Sequence, residues 1–277
     1  MVGFVLKLNL ELLMEIAEKV RFKVQSLIDS GKAGKIVGVG VGGDKTRYVD
    51  WVAEKTIFEM LKTNKISCVV VSEESGVKKI LGGNQNTYLI VDGLDGTYNA
   101  LRKIPFYAIS LAVADKPKLS AVHTSLVANL SMEKMIFTAE KGLGAKLNDK
   151  PIKPSKINNI EEALITLNPS TNKKILGKVS GILCKAQHIR HYGAISLEIC
   201  YVASGRLDAA IDLRGKLRVT DLAASYHIIR EAGGFIVRED GTMLDSLADN
   251  PQRRVSFLAV GNKKLLNKLL ILLKNHD

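Results

Sequence analysis

Two aspartates three residues apart, Asp92 and Asp95, follow directly on the apolar run Tyr88-Leu89-Ile90-Val91. A short apolar run of this kind reads as a buried strand, which carries both carboxylates to its end. Gly93 and Gly96 permit a tight turn or a close ligand approach, and Thr97-Tyr98-Asn99-Ala100 opens a helix whose unpaired N–H groups favour an anion. Hard oxygen donors beside an anion site suit magnesium, which takes one or two carboxylates and shares its remaining positions with water and phosphate. Taken alone, the same residues also satisfy a plainer reading, a turn and a helix cap.

Other acids sit at comparable places. The run Cys68-Val69-Val70-Val71 is a strand by its β-branched content and ends in Ser72-Glu73-Glu74-Ser75. In layered α/β folds ligands collect at the carboxyl ends of strands, so Glu73 is expected to converge with Asp92 and Asp95, while Glu74 reads as part of a solvated acidic turn. Asp50 opens a helical pattern over residues 50–62, and Asp221 opens another that stops at Gly233-Gly234; local context favours a capping role for each. Gly38, Gly40 and Gly43 match the G-x-G-x-x-G pattern of dinucleotide sites. That pattern needs a helix starting on the glycines and an acid about 20 residues on. Asp44-Lys45-Thr46 intervenes here, so a mobile glycine-rich loop presenting those residues is preferred, with a dinucleotide-dependent enzyme kept as an alternative. His188 and His191 lack a partner cysteine or an H-E-x-x-H pattern and read as surface or substrate-facing.

The elements that position these groups follow from periodicity. Helices are expected over residues 10–30 and around Ile195, Ile199 and Val202, and a leucine-rich amphipathic segment closes the chain at 262–273. Strand-like runs at 108–114, 119–126 and 133–137 suggest an antiparallel meander. Further strands are expected at 163–167, 207–212, 235–238 and 255–260, and a boundary near 158–163 divides the chain into lobes 1–161 and 162–277.

With 277 residues, 46% of them hydrophobic, the chain can bury a substantial core. No window approaches eighteen uncharged apolar residues, and Lys7, Glu11 and Glu15 interrupt any signal-peptide core, so a protein that neither spans a membrane nor is exported is expected. Three cysteines without C-x-x-C spacing indicate neither a disulfide framework nor a zinc site and fit a reducing cytoplasm. A formal charge of +12 suits phosphate-bearing partners. The basic residues are scattered and do not interleave with aromatics, so nucleic acid is not expected as the main partner.

Together, Glu73, the Asp92-Gly93-Leu94-Asp95-Gly96-Thr97 stretch and Asp221 resemble the inositol monophosphatase family of magnesium-dependent, lithium-sensitive phosphatases, especially archaeal members that also hydrolyse fructose 1,6-bisphosphate. The likeness spans nearly the whole chain, including Ala139-Glu140-Lys141-Gly142-Leu143-Gly144-Ala145 and Glu231-Ala232-Gly233-Gly234. It implies an α+β, layered αβαβα sugar-phosphatase fold with two lobes, a homodimer, and two or three Mg2+ ions per site. By the same resemblance, Glu73, Asp92 and the carbonyl of Leu94 hold a first ion, Asp92, Asp95 and Asp221 a second, and Glu73 a weaker third. Thr97, supported by Asp50, orients the attacking water. Gly96 and Thr97 amides bind phosphate, Gly193 and Ala194 stand on the substrate side, and Asp212 contacts substrate hydroxyls.

Four positions depart from the family pattern. Gly93 replaces a proline, Ser72 a glycine, Thr220 a tryptophan, and Ala194 a hydroxyl residue that would bond the substrate. Arg190, Lys216 and Arg218 are candidate contacts for a second phosphate, or else ordinary surface charges. The function implied is hydrolysis of inositol monophosphate, fructose 1,6-bisphosphate or both, with an adenosine bisphosphate or NADP phosphatase of the same fold as the alternative.

Overall fold

Apolar side chains at three- and four-residue spacing, among them Leu13, Ile16, Val20 and Val24, fold α1 (Leu10–Asp29), which packs on α2 (Tyr48–Thr63). The computed structural model describes residues 8–83, 86–132, 134–168 and 171–274. Between these helices the glycine-rich segment forms a hairpin, β1 (Ile36–Val39) against β2 (Lys45–Arg47), with Gly38 opposite Thr46. No helix begins on its glycines, so the dinucleotide reading falls away.

An eight-stranded sheet follows from β3 (Cys68–Ser72), β4 (Gly76–Ile80), β5 (Tyr88–Asp95), β6 (Ala108–Ala114), β7 (Val122–Asn129), β8 (Ile136–Glu140), β9 (Ala145–Leu147) and β10 (Lys150–Pro151). Its order is β10-β9-β8-β7-β6-β5-β3-β4. Strands β3 and β5 run parallel, with Ser72 opposite Val91, so their carboxyl ends lie side by side as expected. Beyond Asp92 the pairing of β5 with β6 slips, and it resumes at Asp95. Such a bulge re-aims side chains at a strand end; this one lies between the two aspartates. The short α3 (Thr97–Leu101) starts immediately afterwards. Strand β7 begins three residues later than its sequence run because Leu119–Ala121 forms a 3₁₀ turn. Glu133, at the start of another expected run, lies outside the described residues.

The remaining chain forms β11 (Leu164–Leu167), α4 (Lys173–Lys185), β12 (His188–Arg190), α5 (Ile195–Ala203), β13 (Ala209–Arg218), α6 (Val219–Glu231), β14 (Phe235–Val237), β15 (Arg254–Val260) and α7 (Lys263–Lys274). Its five strands order as β12-β11-β13-β15-β14. Strand β13 runs well past the expected Asp212, and its pairing with β15 is irregular between Asp212 and Leu217.

Burial on alternate faces explains the layering. On β5, Leu89 and Val91 join the cluster under α1 and α2, whereas Ile90 faces the opposite cluster built on α5 and α6. That second cluster also takes in Phe257 and Ala259 of the smaller sheet, so α5 and α6 are sandwiched between the sheets. The outer face of the smaller sheet is covered by α4 and α7 through Ile182, Leu269 and Leu273. The layers therefore run αβαβα, as the resemblance implied. Because α6 is enclosed by both sheets, residues Val219 to Ile229 are all buried, and the acid in its first turn is buried with them.

Gly96 shows how tightly the strand end is fitted. Its φ of +89° is left-handed, and an added Cβ would lie 3.0 Å from the Ala194 Cβ and 3.1 Å from the Phe106 carbonyl oxygen. Gly96→Ala is expected to lower unfolding free energy in urea by about 1–3 kcal/mol. Gly177→Ala on α4, where nothing lies within 4 Å, should instead stabilise by about 0.5–1 kcal/mol; equal effects would contradict this reading of Gly96.

Candidate active site

The ends of β3 and β5 and the start of α6 bring three carboxylates together. Glu73, Asp92 and Asp221 each offer an oxygen, and these oxygens lie within 4.8 Å of one another. Asp92 is buried, and one of its oxygens accepts the Leu94 amide at 3.0 Å, which folds the 92–95 loop back on itself. Asp95 stands beside the trio. Its Oδ2 accepts both the backbone N–H and the hydroxyl of Ser196, at 2.7 and 2.6 Å, in the first turn of α5. A carboxylate at a helix N-terminus satisfies orphan amides and interacts favourably with the helix dipole, so Asp95 ties the larger sheet to α5.

Asp50 and Asp221 occupy equivalent local positions. Each is the third residue of its helix, and its carboxylate turns back to accept the backbone N–H of the preceding Arg47 or Arg218, at 3.1 and 3.2 Å. Their sequence reading as caps thus holds in a shifted form, since the N-cap positions are the arginines. Capping and clustering are compatible because the acids point inward at the same time. Thr97 donates its hydroxyl to Asp50 Oδ1 at 2.8 Å and also lies 3.2 Å from the Leu94 carbonyl. Asp50, Glu73, Asp92, Leu94 and Thr97 line a cleft of about 20 Å³, of a size for one small ion or water.

Glu54 and Glu74 complete the acid-rich wall. Buried Glu54 accepts the Glu74 amide at 3.0 Å and the Ser75 hydroxyl, and so fixes the turn that carries Glu73. Glu74 is not a solvated turn residue: it is half-buried and accepts the Thr46 hydroxyl from β2. Arg218 enters this wall from β13 and pairs with both Glu73 and Asp44 of the hairpin. Its Nε is buried without a partner among the described residues.

Electrostatics follow from this crowding. Burial pushes the carboxyls of Glu73, Asp92 and Asp221 upward. For Glu73 the charge of Asp221 adds to burial against the guanidinium of Arg218, and for Asp92 the neighbouring acids add to it. Asp50 and Asp95 are raised to about 7, chiefly by burial, despite hydrogen bonds from Thr97 and Ser196. Buried like charges disfavour ionisation, and a bound cation reverses that preference. All-oxygen donors beside a cleft of ionic size fit a hard divalent cation such as magnesium.

A second cavity, of about 410 Å³, adjoins the carboxylates and has Asp95, Tyr98, His191, Tyr192, Gly193 and Arg214 in its walls. Buried Glu198 accepts the amides of Tyr192 and Gly193 at 3.1 and 2.8 Å and shapes that wall. Ala194 is fully buried behind Gly193. Asp212 is fully buried too, and its oxygens take the Arg214 Nε at 3.0 Å and Nη2 at 2.6 Å, so Arg214 is the residue that faces the cavity. Arg190 lies on an edge strand and donates to its neighbour's carbonyl at 2.9 Å, while Lys216 is exposed; neither lines this cavity. Sequence reading passed over Ser196, Glu198, Glu54 and Arg214. Only Arg214 left a signal, since residues 212 and 214 of a strand share a face.

A layered αβαβα fold, with clustered carboxylates at adjoining strand ends and helix N-termini beside an open cavity, defines a metal-dependent phosphatase of the sugar-phosphatase class. The sequence profile of the inositol monophosphatase family matches residues 9–275, and the chain belongs to that family. A fructose-1,6-bisphosphatase/inositol-1-monophosphatase of Methanothermobacter thermautotrophicus is 36% identical over 265 residues, 93% of each chain. A bifunctional NADP phosphatase/NAD kinase of Methanococcus maripaludis is 34% identical, covering 84% of this chain and 44% of that protein. Among solved structures, an inositol monophosphatase–fructose 1,6-bisphosphatase superposes with a TM-score of 0.83 at 31% identity, over 95% of this chain and 98% of the other. Among the described residues, no helix is long and apolar enough to cross a membrane.

The raised carboxyls make stability pH-dependent in a definite direction. Asp95 titrates at about 7 in the folded protein against 3.8 ordinarily. Its contribution is therefore complete below about pH 4 and lost as pH rises through about 7. Metal-free protein should lose unfolding free energy between pH 5 and pH 8, Asp95→Asn should lose less, and saturating Mg2+ should suppress the loss. Equal slopes for metal-free wild type and Asp95→Asn would contradict the assignment.

Proposed function

We propose that this protein hydrolyses phosphomonoesters of small polyols and sugars, inositol monophosphate and fructose 1,6-bisphosphate among them, with two or three magnesium ions per site. The observation that carries this reading is the Glu73, Asp92 and Asp221 cluster beside a cavity that has Asp95 in its wall. Support comes also from family membership and from the names of the archaeal relatives.

In this reading Glu73, Asp92 and the Leu94 carbonyl hold one ion, Asp92, Asp95 and Asp221 another, and Glu73 a third. Bound there, such ions neutralise phosphoryl oxygens, lower the pKa of water and stabilise the leaving oxygen. Thr97, held by Asp50 at 2.8 Å, orients the attacking water, and the amides of Gly96 and Thr97 hold the reacting phosphate. Gly193, with the buried Ala194 packed behind it, bounds the polyol. No side chain serves as nucleophile. Support for a second phosphate moves from Arg190, Lys216 and Arg218 to Arg214, which lines the cavity. Residues 1–161 and 162–277 act as two lobes, a division supported by the larger sheet ending at Pro151 and the smaller one starting at Leu164. The family resemblance further supports a cytoplasmic homodimer.

A second reading, hydrolysis of the 2′-phosphate of NADP or of an adenosine bisphosphate, has its own support. Tyr98, 74% exposed, and Tyr192 stand in the cavity wall, where an adenine ring stacks favourably.

A panel of inositol 1-phosphate, fructose 1,6-bisphosphate, NADP and adenosine 3′,5′-bisphosphate, assayed with and without Mg2+, separates the readings. Sugar phosphates are expected to give the larger kcat/KM, and activity only on the nucleotides would favour the second. Folded Asp92→Asn should lose essentially all turnover at saturating Mg2+, since one substitution weakens two ion sites. Arg214→Ala should reduce kcat/KM for the bisphosphate at least about tenfold more than for the monophosphate, and Arg190→Ala should not. Near-normal turnover by Asp92→Asn would contradict the metal assignment.

A further inference from the structure

The charge of +12 exceeds anything the carboxylate-rich site uses, and part of it is concentrated around another cavity. This cavity, of about 470 Å³, lies on the smaller sheet between the first turns of α4, the turn inside β13 and the chain just after β14. Its volume lies in the ordinary range for small-ligand sites. Lys174, Lys178, Arg214 and Arg238 stand in its walls against two acids, Glu239 and Asp240.

The cations divide by occupation. Lys178 pairs with Glu239 at 3.2 Å, and Arg214 is held by Asp212. Lys174 and Arg238 enter no close carboxylate pair among the described residues, although Arg238 donates weakly to the Asp245 carbonyl at 3.4 Å and its charge acts on Asp240. They approach from different elements, α4 and the segment after β14. Cations that line one cavity from separate parts of the chain suit an anion with more than one oxygen, and half-buried guanidinium groups make the charge-assisted bonds that phosphate favours. The hydroxyl of Ser256, which accepts the Gly215 amide at 3.0 Å, adds a polar group to the same wall.

Arg214 lines this cavity and the substrate-side cavity alike. Because Asp212 holds the Nε and Nη2 of this one residue, an anion that draws the Arg214 guanidinium changes its hold on Asp212 and the wall it contributes to the other cavity. We propose that the cavity formed by α4, β13 and the end of β14 binds a small phosphate-bearing anion, and that its occupancy is conveyed to the phosphatase site through Arg214. The binding claim stands independently of which ester the active site hydrolyses.

The test is calorimetric titration of the full chain, saturated with Mg2+, with methylenediphosphonate, a non-hydrolysable diphosphate analogue. Wild type is expected to show two binding events, one at the metal site and one at this cavity. In Lys174→Glu/Arg238→Gln the second event should weaken at least about tenfold, the loss of charge-assisted contacts on both walls, with turnover of inositol 1-phosphate unchanged in the absence of the analogue. Inhibition should carry a component that lowers kcat about twofold or more in wild type and become purely competitive in the variant. A single binding event in wild type, two events untouched by the substitutions, or purely competitive inhibition in wild type would overturn the proposal. Should the double variant fail to fold, Lys174→Glu alone, at an exposed position, carries the same test.

Discussion

The site depends on an electrostatic imbalance: Glu73, Asp92 and Asp221 hold oxygens within 4.8 Å of one another in a region largely removed from water. At an effective dielectric of about 20, two full charges at that distance repel by about 3–4 kcal/mol. Three such pairs would consume most of the stability of an ordinary domain, about 5–15 kcal/mol. One guanidinium, Arg218, lies against Glu73, and its attraction is of the order of a single pair. The chain answers the remainder by holding protons, which lifts the carboxyls, or by accepting divalent cations, which removes the conflict.

Holding such groups in place requires rigidity from several directions. Parallel pairing of β3 with β5 sets Glu73 beside Asp92, and the slipped pairing of β5 with β6 turns Asp95 towards α5. Enclosure of α6 between two sheets fixes Asp221. At the site the hairpin is joined to this frame through Thr46 to Glu74, Asp44 to Arg218 and the Val41 amide to the Glu74 carbonyl. Arg218 pairs with Glu73 of the carboxylate cluster and with Asp44 of the hairpin, so one guanidinium links the hairpin to the site.

Much of the frame was legible because it rests on burial periodicity. The strands at 68–71 and 88–91 and the helices at 10–30 and 222–232 appear where apolar spacing places them. The acids were legible as strand-end and helix-start residues, although Asp50 and Asp221 lie at the third helical position rather than at the cap. Strand β1, exposed at all four residues, has no apolar alternation to reveal it, and the glycine-rich segment therefore resembled a loop. The roles of Ser196, Glu198 and Glu54 arise from hydrogen bonds spanning loops and sheets, which no local pattern encodes. Arg214 was hidden among the other basic residues of β13, because its partner Asp212 was read as facing substrate while burial turns that acid inward.

The most direct measurement is anomalous scattering from crystals of the full chain grown with Mn2+ in place of Mg2+. The carboxylate imbalance predicts a strong peak among the oxygens of Glu73, Asp92 and Asp221, with the Arg218 guanidinium withdrawn from Glu73. An absence of peaks at saturating Mn2+, with Arg218 still seated on Glu73, would contradict it.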